Sequence, residues 1–175
     1  MIFKIDFLCN YIKMTNTWYI QIFCSGPTKK QKEMSDIMEQ RTLRNKQIGI
    51  GFCDITPIFD KDNNFINIRC ENTNLTKRQE LYRKNVFKHF INTMKIGDIV
   101  YLKNGKNILY KAIIDSDYIY DDSNYIKHSS NKIYSLTTDE KMSWFWRHRR
   151  NIKNIEKISE INKGYSRKTL YKKIK

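Results

Sequence analysis

The sequence from Met94 to Asp121 reads MKIGDIVYLKNGKNILYKAIIDSDYIYD, and its pattern predicts a compact unit of β-strands. Gly97-Asp98 is a turn signal, and Asn104-Gly105 is the strongest short signal for a hairpin turn. The strands expected in this stretch are 99–102, 108–114 and a third around 118–120. An ordinary β-meander inside a core explains the pattern as well as a functional unit does. The segments that flank the stretch therefore have to decide between the two.

Length, composition and charge indicate the class of protein. The 175 residues are most simply one domain, and 40% hydrophobic and 13% aromatic content is typical of a folded chain. The net charge of +15, from 33 Lys and Arg against 18 Asp and Glu, favours a polyanionic partner. The chain is also rich in Lys, Asn, Ile and Tyr, as an AT-rich genome would make it. Charge therefore favours a nucleic-acid partner without establishing one.

The cysteines and the opening segment bear on cofactors and location. No Cys-x-x-Cys pair and no nearby His pair completes a zinc site, so no metal and no cofactor is expected. Residues 1–13 are too short to span a bilayer and lack a cleavage site, so no membrane partner is expected. We predict an intracellular protein of the cytoplasm or nucleus. A viral protein that acts inside the host cell also fits this prediction. Its four cysteines, interpreted as reduced, are Cys9, Cys24, Cys53 and Cys70.

The first half of the chain should contain two strands and a helix. Residues 17–24 are rich in aromatic and β-branched side chains and predict a strand. Residues 28–46 predict an amphipathic helix with a basic outer face. Residues 48–54 predict a second strand, in which Gly49 and Gly51 mark a bulge or the close approach of another group. The buried stripe of the helix should comprise Met34, Ile37, Met38 and Arg41.

A loop and a long helix are expected next. Residues 57–74 predict a loop, whose cluster of Asp and Asn side chains suggests calcium but lacks the Gly and terminal Glu of an EF-hand. A solvated turn is the favoured interpretation. Thr76 and Gln79 form a capping-box signature for a helix through Met94. Its apolar face, interpreted as core packing, comprises Leu81, Tyr82, Val86, Phe87, Phe90, Ile91 and Met94.

The last third of the chain combines aromatic and basic residues. Residues 121–141 predict a polar loop, and residues 143–158 (SWFWRHRRNIKNIEKI) predict an extended segment. Alternation places His148 and Arg150 on one face of that segment. Aromatics interleaved with arginines suit base stacking beside phosphate contacts. Residues 164–175 predict a short helix or a frayed basic tail.

The order of these parts resembles the PUA-like superfamily. The closest likeness is to EVE domains and the readers of modification-dependent restriction systems, with YTH domains as relatives. The most specific motifs are MKIGDIV, residues 94–100, and HRRNI, residues 148–152, within a resemblance that covers about Thr17 to Ile158. The resemblance implies an α+β fold, a small mixed β-barrel flanked by helices. It divides the chain into an extension, 1–16, a domain, 17–160, and a basic tail, 161–175.

Domains of this kind are similar in flipping a modified base into an aromatic pocket. Phe52 stands where relatives commonly carry Trp, and it offers less stacking surface and no N–H donor. The resemblance implies a pocket of Trp18, Ser25, Gly26, Phe52, Cys53, Asp54, Tyr118, Tyr120, Trp144 and Trp146. The basic residues expected to hold the phosphates are Lys29, Lys30, Lys32, Arg147, His148, Arg149, Arg150 and Lys153.

The sequence thus predicts a non-enzymatic module that binds DNA or RNA carrying a modified base. It contains no recognisable Ser-His-Asp set, metal-ligand cluster, phosphate-binding Gly loop or paired carboxylates. One alternative is a YTH-like reader of N6-methyladenine in RNA. Another is an ASCH-like hydrolase of modified nucleosides, for which Lys111 and Asp54 are the residues to test. The third is a protein-interaction adaptor whose pocket has decayed and whose basic surface reflects codon bias alone.

Overall fold

The computed structural model describes residues 15–21, 28–50, 55–70, 74–121, 147–161 and 170–172. Within these ranges the chain is a mixed α+β structure with two helices and nine strands. The helices are α1, Lys29–Asn45, and α2, Lys77–Lys88, which continues as a π-helical turn, His89–Thr93. The strands are β1 Thr17–Gln21, β2 Gln47–Gly49, β3 Ile55–Phe59, β4 Phe65–Cys70, β5 Ile99–Asn104, β6 Asn107–Ile114, β7 Ile119–Tyr120, β8 His148–Ile161 and β9 Leu170–Lys172.

Seven strands form one sheet that curls into a half-barrel. Its order is β2-β8-β6-β5-β1-β9, with β7 also paired to β8, and β3 and β4 form a separate hairpin. β8 curls the sheet, because its first residues pair with β2 and β7 and the rest pairs with β6. The predicted hairpin turn is confirmed, with Gly105 at a φ of 59°. The expected third strand is confirmed as β7, but it does not complete a meander, since it pairs with β8 and not with β6.

The predicted Gly-Asp turn fixes the parallel pairing of β1 with β5. Gly97 has a φ of 91°, which suits a residue without Cβ. The Asp98 carboxylate, 3% exposed, accepts hydrogen bonds from Trp18 Nε1 at 2.8 Å, Asn16 N at 3.0 Å and Lys95 N at 3.0 Å. A buried carboxylate needs such donors, so Asp98 joins the beginning of β1 to the turn before β5.

Both helices pack an apolar face against the sheet core, which contains Trp18, Val100 and Ile114. All four predicted stripe residues of α1 are buried. The capping box of α2 is confirmed: Gln79 N donates to Thr76 Oγ1 at 3.3 Å, and Thr76 N donates to Gln79 Oε1 at 2.9 Å. Leu81 was predicted to be buried and is 59% exposed, because the buried residues of α2 begin at Val86.

The loop predicted for residues 57–74 is in part the β3-β4 hairpin. The Asp60 carboxylate supports its turn by accepting hydrogen bonds from the backbone N–H of Asp62, at 3.0 Å, and of Asn64, at 2.7 Å. The bond from Asn64 is the main reason why the pKa of Asp60 is lowered. Nowhere in the described ranges do three or more His, Cys, Asp or Glu side chains come together as metal ligands. The Asp- and Asn-rich turn expected from the sequence is thus the tip of the β3-β4 hairpin.

The C-terminal helix or tail is, at residues 170–172, a strand. β9 runs antiparallel to β1, with Leu170 opposite Ile20, and Leu170 is 4% exposed in the core. Pairing with β1 satisfies backbone groups along that edge, which a local helix could not do. Neither helix in the described part of the chain is long and apolar enough to cross a membrane.

Several predictions fall on residues whose structure is not described. Residues 1–13, the ends of the predicted strands at 22–24 and 51–54, and the polar loop from residue 122 onward lie outside the described ranges. Cys9, Cys24 and Cys53 lie there too, whereas Cys70 is half-buried in β4.

Candidate functional site

An aromatic cleft of about 520 Å³ lies between three parts of the fold. The β3-β4 hairpin forms one wall, the segment leading into β7 forms the other, and the π-helical turn after α2 forms the floor. Its lining residues are Phe59, Asn63, Asn64, Phe65, Ile91, Asn92, Asp117, Tyr118 and Tyr120. A cleft of this volume has the size of a small-molecule site.

Four rings and several polar side chains give the cleft a mixed character. Phe59 lies 6.4 Å from Tyr118 and 6.3 Å, edge to face, from Phe65, measured between ring centroids. The carboxylate of Asp117 can accept hydrogen bonds, and the carboxamide of Asn92 can both donate and accept them. Aromatic faces beside polar groups suit a flat ligand with hydrogen-bonding edges, such as a heterocyclic base.

His148 supports the tyrosine wall from behind. Its Nδ1 lies 2.7 Å from the Tyr118 hydroxyl and its Nε2 lies 3.1 Å from the carbonyl oxygen of Ile55. Because a carbonyl can only accept, Nε2 carries the proton, and Nδ1 accepts from Tyr118. The imidazole is also stacked on the ring of Tyr120, with 5.4 Å between the centroids and 30° between the planes. His148 therefore connects β3, and with it the hairpin wall, to the two tyrosines.

The electrostatics of this pair follow from burial. His148 is fully buried, and desolvation is the main cause that lowers its pKa to about 3. Burial likewise raises the pKa of Tyr118 well above its ordinary value. At neutral pH the imidazole is therefore uncharged and the phenol keeps its proton, which is the state that their hydrogen bond requires.

Arg150 fixes the floor of the cleft against the second wall. Its guanidinium donates to the carbonyl oxygens of Phe90, at 2.8 Å, and Ile91, at 2.9 Å, in the π-helical turn. It also donates, at 2.8 Å, to the carbonyl oxygen of Ser116, the residue before Asp117. Carbonyls at a helix end lack helical partners, and a cation there also complements the helix dipole. Arg150 thereby holds two lining segments in one fixed arrangement.

Arg147 and Arg149 hold the end of the second wall. Arg147 Nη2 donates to the Tyr120 hydroxyl at 2.7 Å, and its guanidinium lies 5.4 Å from the centroid of that ring. Arg149 forms an ion pair with Asp121, also at 2.7 Å. Both contacts position the strand that carries Tyr120.

The predicted phosphate-binding residues thus have two different placements. His148 and Arg150 are 0% and 1% exposed, and their contacts are internal, so in this arrangement neither is available to a phosphate. Arg147 is also buried. Lys153 is half-exposed and pairs at 2.6 Å with Asp115, near Asp117 of the cleft. Of these residues, the half-exposed Lys153 therefore agrees better with the predicted phosphate contact than the buried His148 and Arg150 do.

The lysines of α1 lie away from the cleft. α1 contacts the hairpin of β5 and β6 through Ser35, to which Asn104 donates at 3.4 Å, and through Glu39, to which Tyr110 donates. Asn104 is the last residue of β5, directly before the hairpin turn. The wall of the cleft that contains Tyr118 instead follows the opposite end of β6. Lys29 and Lys32, exposed near the beginning of α1, therefore lie towards the turn; the side chain of Lys30 is outside the described residues.

Of the predicted pocket residues, Tyr118 and Tyr120 line the cleft and Trp18 does not. Trp18 is 0% exposed in the core, bonded to Asp98, with its ring centroid 5.8 Å from that of His89. Lys111, a test residue for the hydrolase alternative, lies 3.8 Å from Glu156 in an exposed ion pair. Outside the described residues are Ser25, Gly26, Phe52, Cys53, Asp54, Trp144 and Trp146.

Sequence reasoning missed the hairpin wall and the floor. Phe59 and Phe65 flank the Asp- and Asn-rich turn, and such a turn between two apolar runs is a hairpin signal. Asn92 carries no comparable signal, because its place in the cleft depends on the π-helical turn. The missed lining residues are Phe59, Asn63, Asn64, Phe65, Ile91, Asn92 and Asp117.

Fold and cleft together define a mixed α+β domain in which a curled sheet, a hairpin and a helix end border an open, aromatic cleft of ligand size. The chain belongs to the family described as a domain of unknown function, DUF8426, whose model matches residues 28–173. The match spans every element from α1 to β9, and with them all residues that line the cleft. No curated protein matches the chain significantly.

Proposed function

We propose that the protein is a nucleic-acid-binding module that receives a flipped, modified base of DNA or RNA in the aromatic cleft. The observation that carries the proposal is the cleft itself, with the rings of Phe59, Phe65, Tyr118 and Tyr120 around one cavity. The proposal includes membership of the PUA-like superfamily, near the EVE and YTH domains. The curled sheet with two helices is compatible with that membership.

The energetics of base capture suit such a cleft. Unstacking a base costs a few kcal/mol, and stacking on aromatic side chains recovers about 1–3 kcal/mol per base. A buried methyl group adds on the order of 1 kcal/mol. Because these terms nearly balance, a modification that adds apolar surface is enough to select one base over its unmodified twin.

The polar lining supplies the other part of the selectivity. The carboxylate of Asp117 accepts hydrogen bonds only, so it favours a base that presents an N–H donor to it. A base that leaves a polar group of the site unpaired is rejected by the full cost of that missing bond. The net charge of +15 supports an attraction for the phosphates, and Lys153, half-exposed in its ion pair with Asp115, is the candidate contact.

The test is a fluorescence-anisotropy titration at about 0.15 M salt. Matched single- and double-stranded DNA and RNA oligonucleotides carry no modification, N6-methyladenine, 5-methylcytosine or 5-hydroxymethylcytosine. We expect tighter binding of one modified form than of its unmodified twin. Phe59→Ala should weaken that binding about tenfold through lost stacking.

The matched control is Tyr101→Ala, which removes a ring stacked at 5.1 Å on Tyr19, outside the cleft. It should leave the preference unchanged. Equal, salt-sensitive binding of all oligonucleotides by the wild-type protein would overturn the proposal and favour the adaptor alternative, because only a basic surface would remain.

A further inference from the structure

The outer side of α2 carries a line of lysines that leads to the cleft. The helix contains five basic residues and one acidic residue. Positions separated by four or seven residues lie on one side of a helix, so Lys77, Lys84 and Lys88 form a single stripe. We call these three residues the lysine stripe. It lies opposite the buried residue Val86.

The stripe ends at the floor of the cleft. Asn92, which lines the cleft, follows Lys88 by four residues and is exposed. From Lys77 to Asn92 the helix rises by about 22 Å. Leu81, 59% exposed, lies on the same side between the first two lysines. The lysines, with one exposed apolar residue among them, thus form a path that leads to the aromatic cleft.

The charges around the stripe are mostly positive. Glu80, in the first turn of α2, is the acidic residue of the helix and lies beside Lys77 and Lys84. At the other end, Lys88 and Lys172 act in the same direction on His89, whose pKa is lowered first by burial and then by these two lysines. The end of the stripe nearest the cleft is therefore its more positive end.

We propose that the lysine stripe binds the sugar-phosphate backbone of a single-stranded nucleic acid next to the base held in the cleft. The inference rests on the proposed function, since the cleft requires an unpaired base. A polyanion complements the charge of the stripe, and a groove or stripe of one sign that follows a backbone is how single strands are held. Lys84 and Lys88 are the phosphate contacts, because they are the lysines of the stripe that lie nearest the cleft.

The experiment measures the salt dependence of binding to a single-stranded oligonucleotide that carries the preferred base. Each phosphate contact contributes about 0.7 to the slope of log K against log salt concentration. Lys84→Gln with Lys88→Gln should therefore reduce the slope by about 1.4. Lys29→Gln with Lys32→Gln removes the same charge from α1 and should leave the slope unchanged. Unfolding curves confirm that both double variants fold.

Two results would overturn the inference. One is an unchanged slope in the α2 double variant, and the other is an equal reduction in both double variants, which would report net charge alone. The same slope comparison on an abasic oligonucleotide, which needs no preferred base, separates this inference from the proposed function. If the base-dependent preference persists while the slope does not change, the stripe fails and the cleft stands. If the slope falls but the wild-type protein shows no preference for the base, the cleft fails and the stripe stands.

Discussion

His148 illustrates how one side chain can organise a binding surface without touching the ligand. A lysine or arginine at this place would bring an unpaired charge into the core, and a leucine would leave the Tyr118 hydroxyl and the Ile55 carbonyl without their partner. A neutral imidazole both donates and accepts, so it satisfies the two groups at once. The orientation of the Tyr118 ring in the cleft depends on that chemistry.

The stability of the protein should depend on the protonation of His148. The unfolded pKa is 6.5 and the folded pKa is about 3, so between these values the unfolded chain binds more protons. The stabilisation by the neutral imidazole is complete above about pH 6.5 and is lost, by up to about 1.4 kcal/mol per pH unit, as the pH falls towards 3. Urea denaturation at about pH 7 and about pH 4.5 measures this loss.

The control for this pH dependence is His148→Gln, which supplies an amide with both a donor and an acceptor but cannot titrate. It should be less stable than the wild-type protein at pH 7 and lose less stability on acidification. The contribution of His89, whose pKa is also lowered, is the same in both proteins. Identical acid dependence of the two proteins would show that His148 does not titrate as its burial requires.

Tyr118→Phe separates the hydroxyl of the tyrosine from its ring. Loss of the hydroxyl leaves Nδ1 of His148 without its donor in the core, at a cost of about 1–3 kcal/mol in the free energy of unfolding. The ring remains, so the preference for the modified base should persist in Tyr118→Phe and disappear in Tyr118→Ala. Denaturant titration and anisotropy measure the two effects. If Tyr118→Phe lost the preference as well, stacking could not be what the ring contributes.

Among the elements, the end of α2 and strand β8 depend on each other, because Arg150 of β8 binds the carbonyls at that helix end. The π-helical turn, closed by the bond from Met94 N to the His89 carbonyl at 2.9 Å, directs the carbonyls of Phe90 and Ile91 to Arg150. The same guanidinium reaches Ser116. π-Helical turns are frequent at functional sites, and here the turn forms the floor of the cleft.

Arg150→Lys should destabilise the protein by about 3 kcal/mol. A lysine ammonium has no planar fork and cannot reach three carbonyls on two segments, so at least one carbonyl stays unpaired. Arg69→Lys, at an exposed position of β4, makes the same exchange and should change stability by less than about 0.5 kcal/mol. Denaturation midpoints compare them, and a similar small effect of both would contradict the positioning role of Arg150.

How far the sequence predicted these elements depends on how local their causes are. The hairpin turn at Asn104-Gly105 and the capping box at Thr76 and Gln79 are determined by neighbouring residues, and both were predicted correctly. The alternation of His148 and Arg150 was also visible. Whether that shared face is buried or exposed depends on α2 and β3, which are distant in sequence, so the two residues were predicted as surface contacts and lie in the core.

In the molecule as a whole, β9, the last described strand, pairs with β1, the first. It places Leu170 in the core and brings the Lys172 ammonium to 6.0 Å from the centroid of the Trp18 ring. Three residues carry too little pattern to predict a strand, and β9 forms because β1 offers an edge. Residues 170–172 are therefore part of the fold and not of a separable tail.

Leu170→Ala should cost about 2–5 kcal/mol in the free energy of unfolding, the usual range for a core leucine. Ile161→Ala, at a side chain that is 73% exposed, should change it by less than about 0.5 kcal/mol. Urea unfolding curves of the two variants give the comparison. Wild-type stability of Leu170→Ala would mean that β9 does not pack as described.

An NMR titration of the full chain with ¹³C-labelled Phe and Tyr rings tests directly whether the cleft receives the base. A short single-stranded oligonucleotide with the preferred modified base is the ligand, and its abasic twin is the control. The modified base should shift the ring signals of Phe59, Phe65, Tyr118 and Tyr120 and leave those of the stacked pair Tyr19 and Tyr101 unchanged. The abasic oligonucleotide should not shift the signals of the four cleft rings. Base-dependent shifts that avoid all four rings of the cleft would contradict the account.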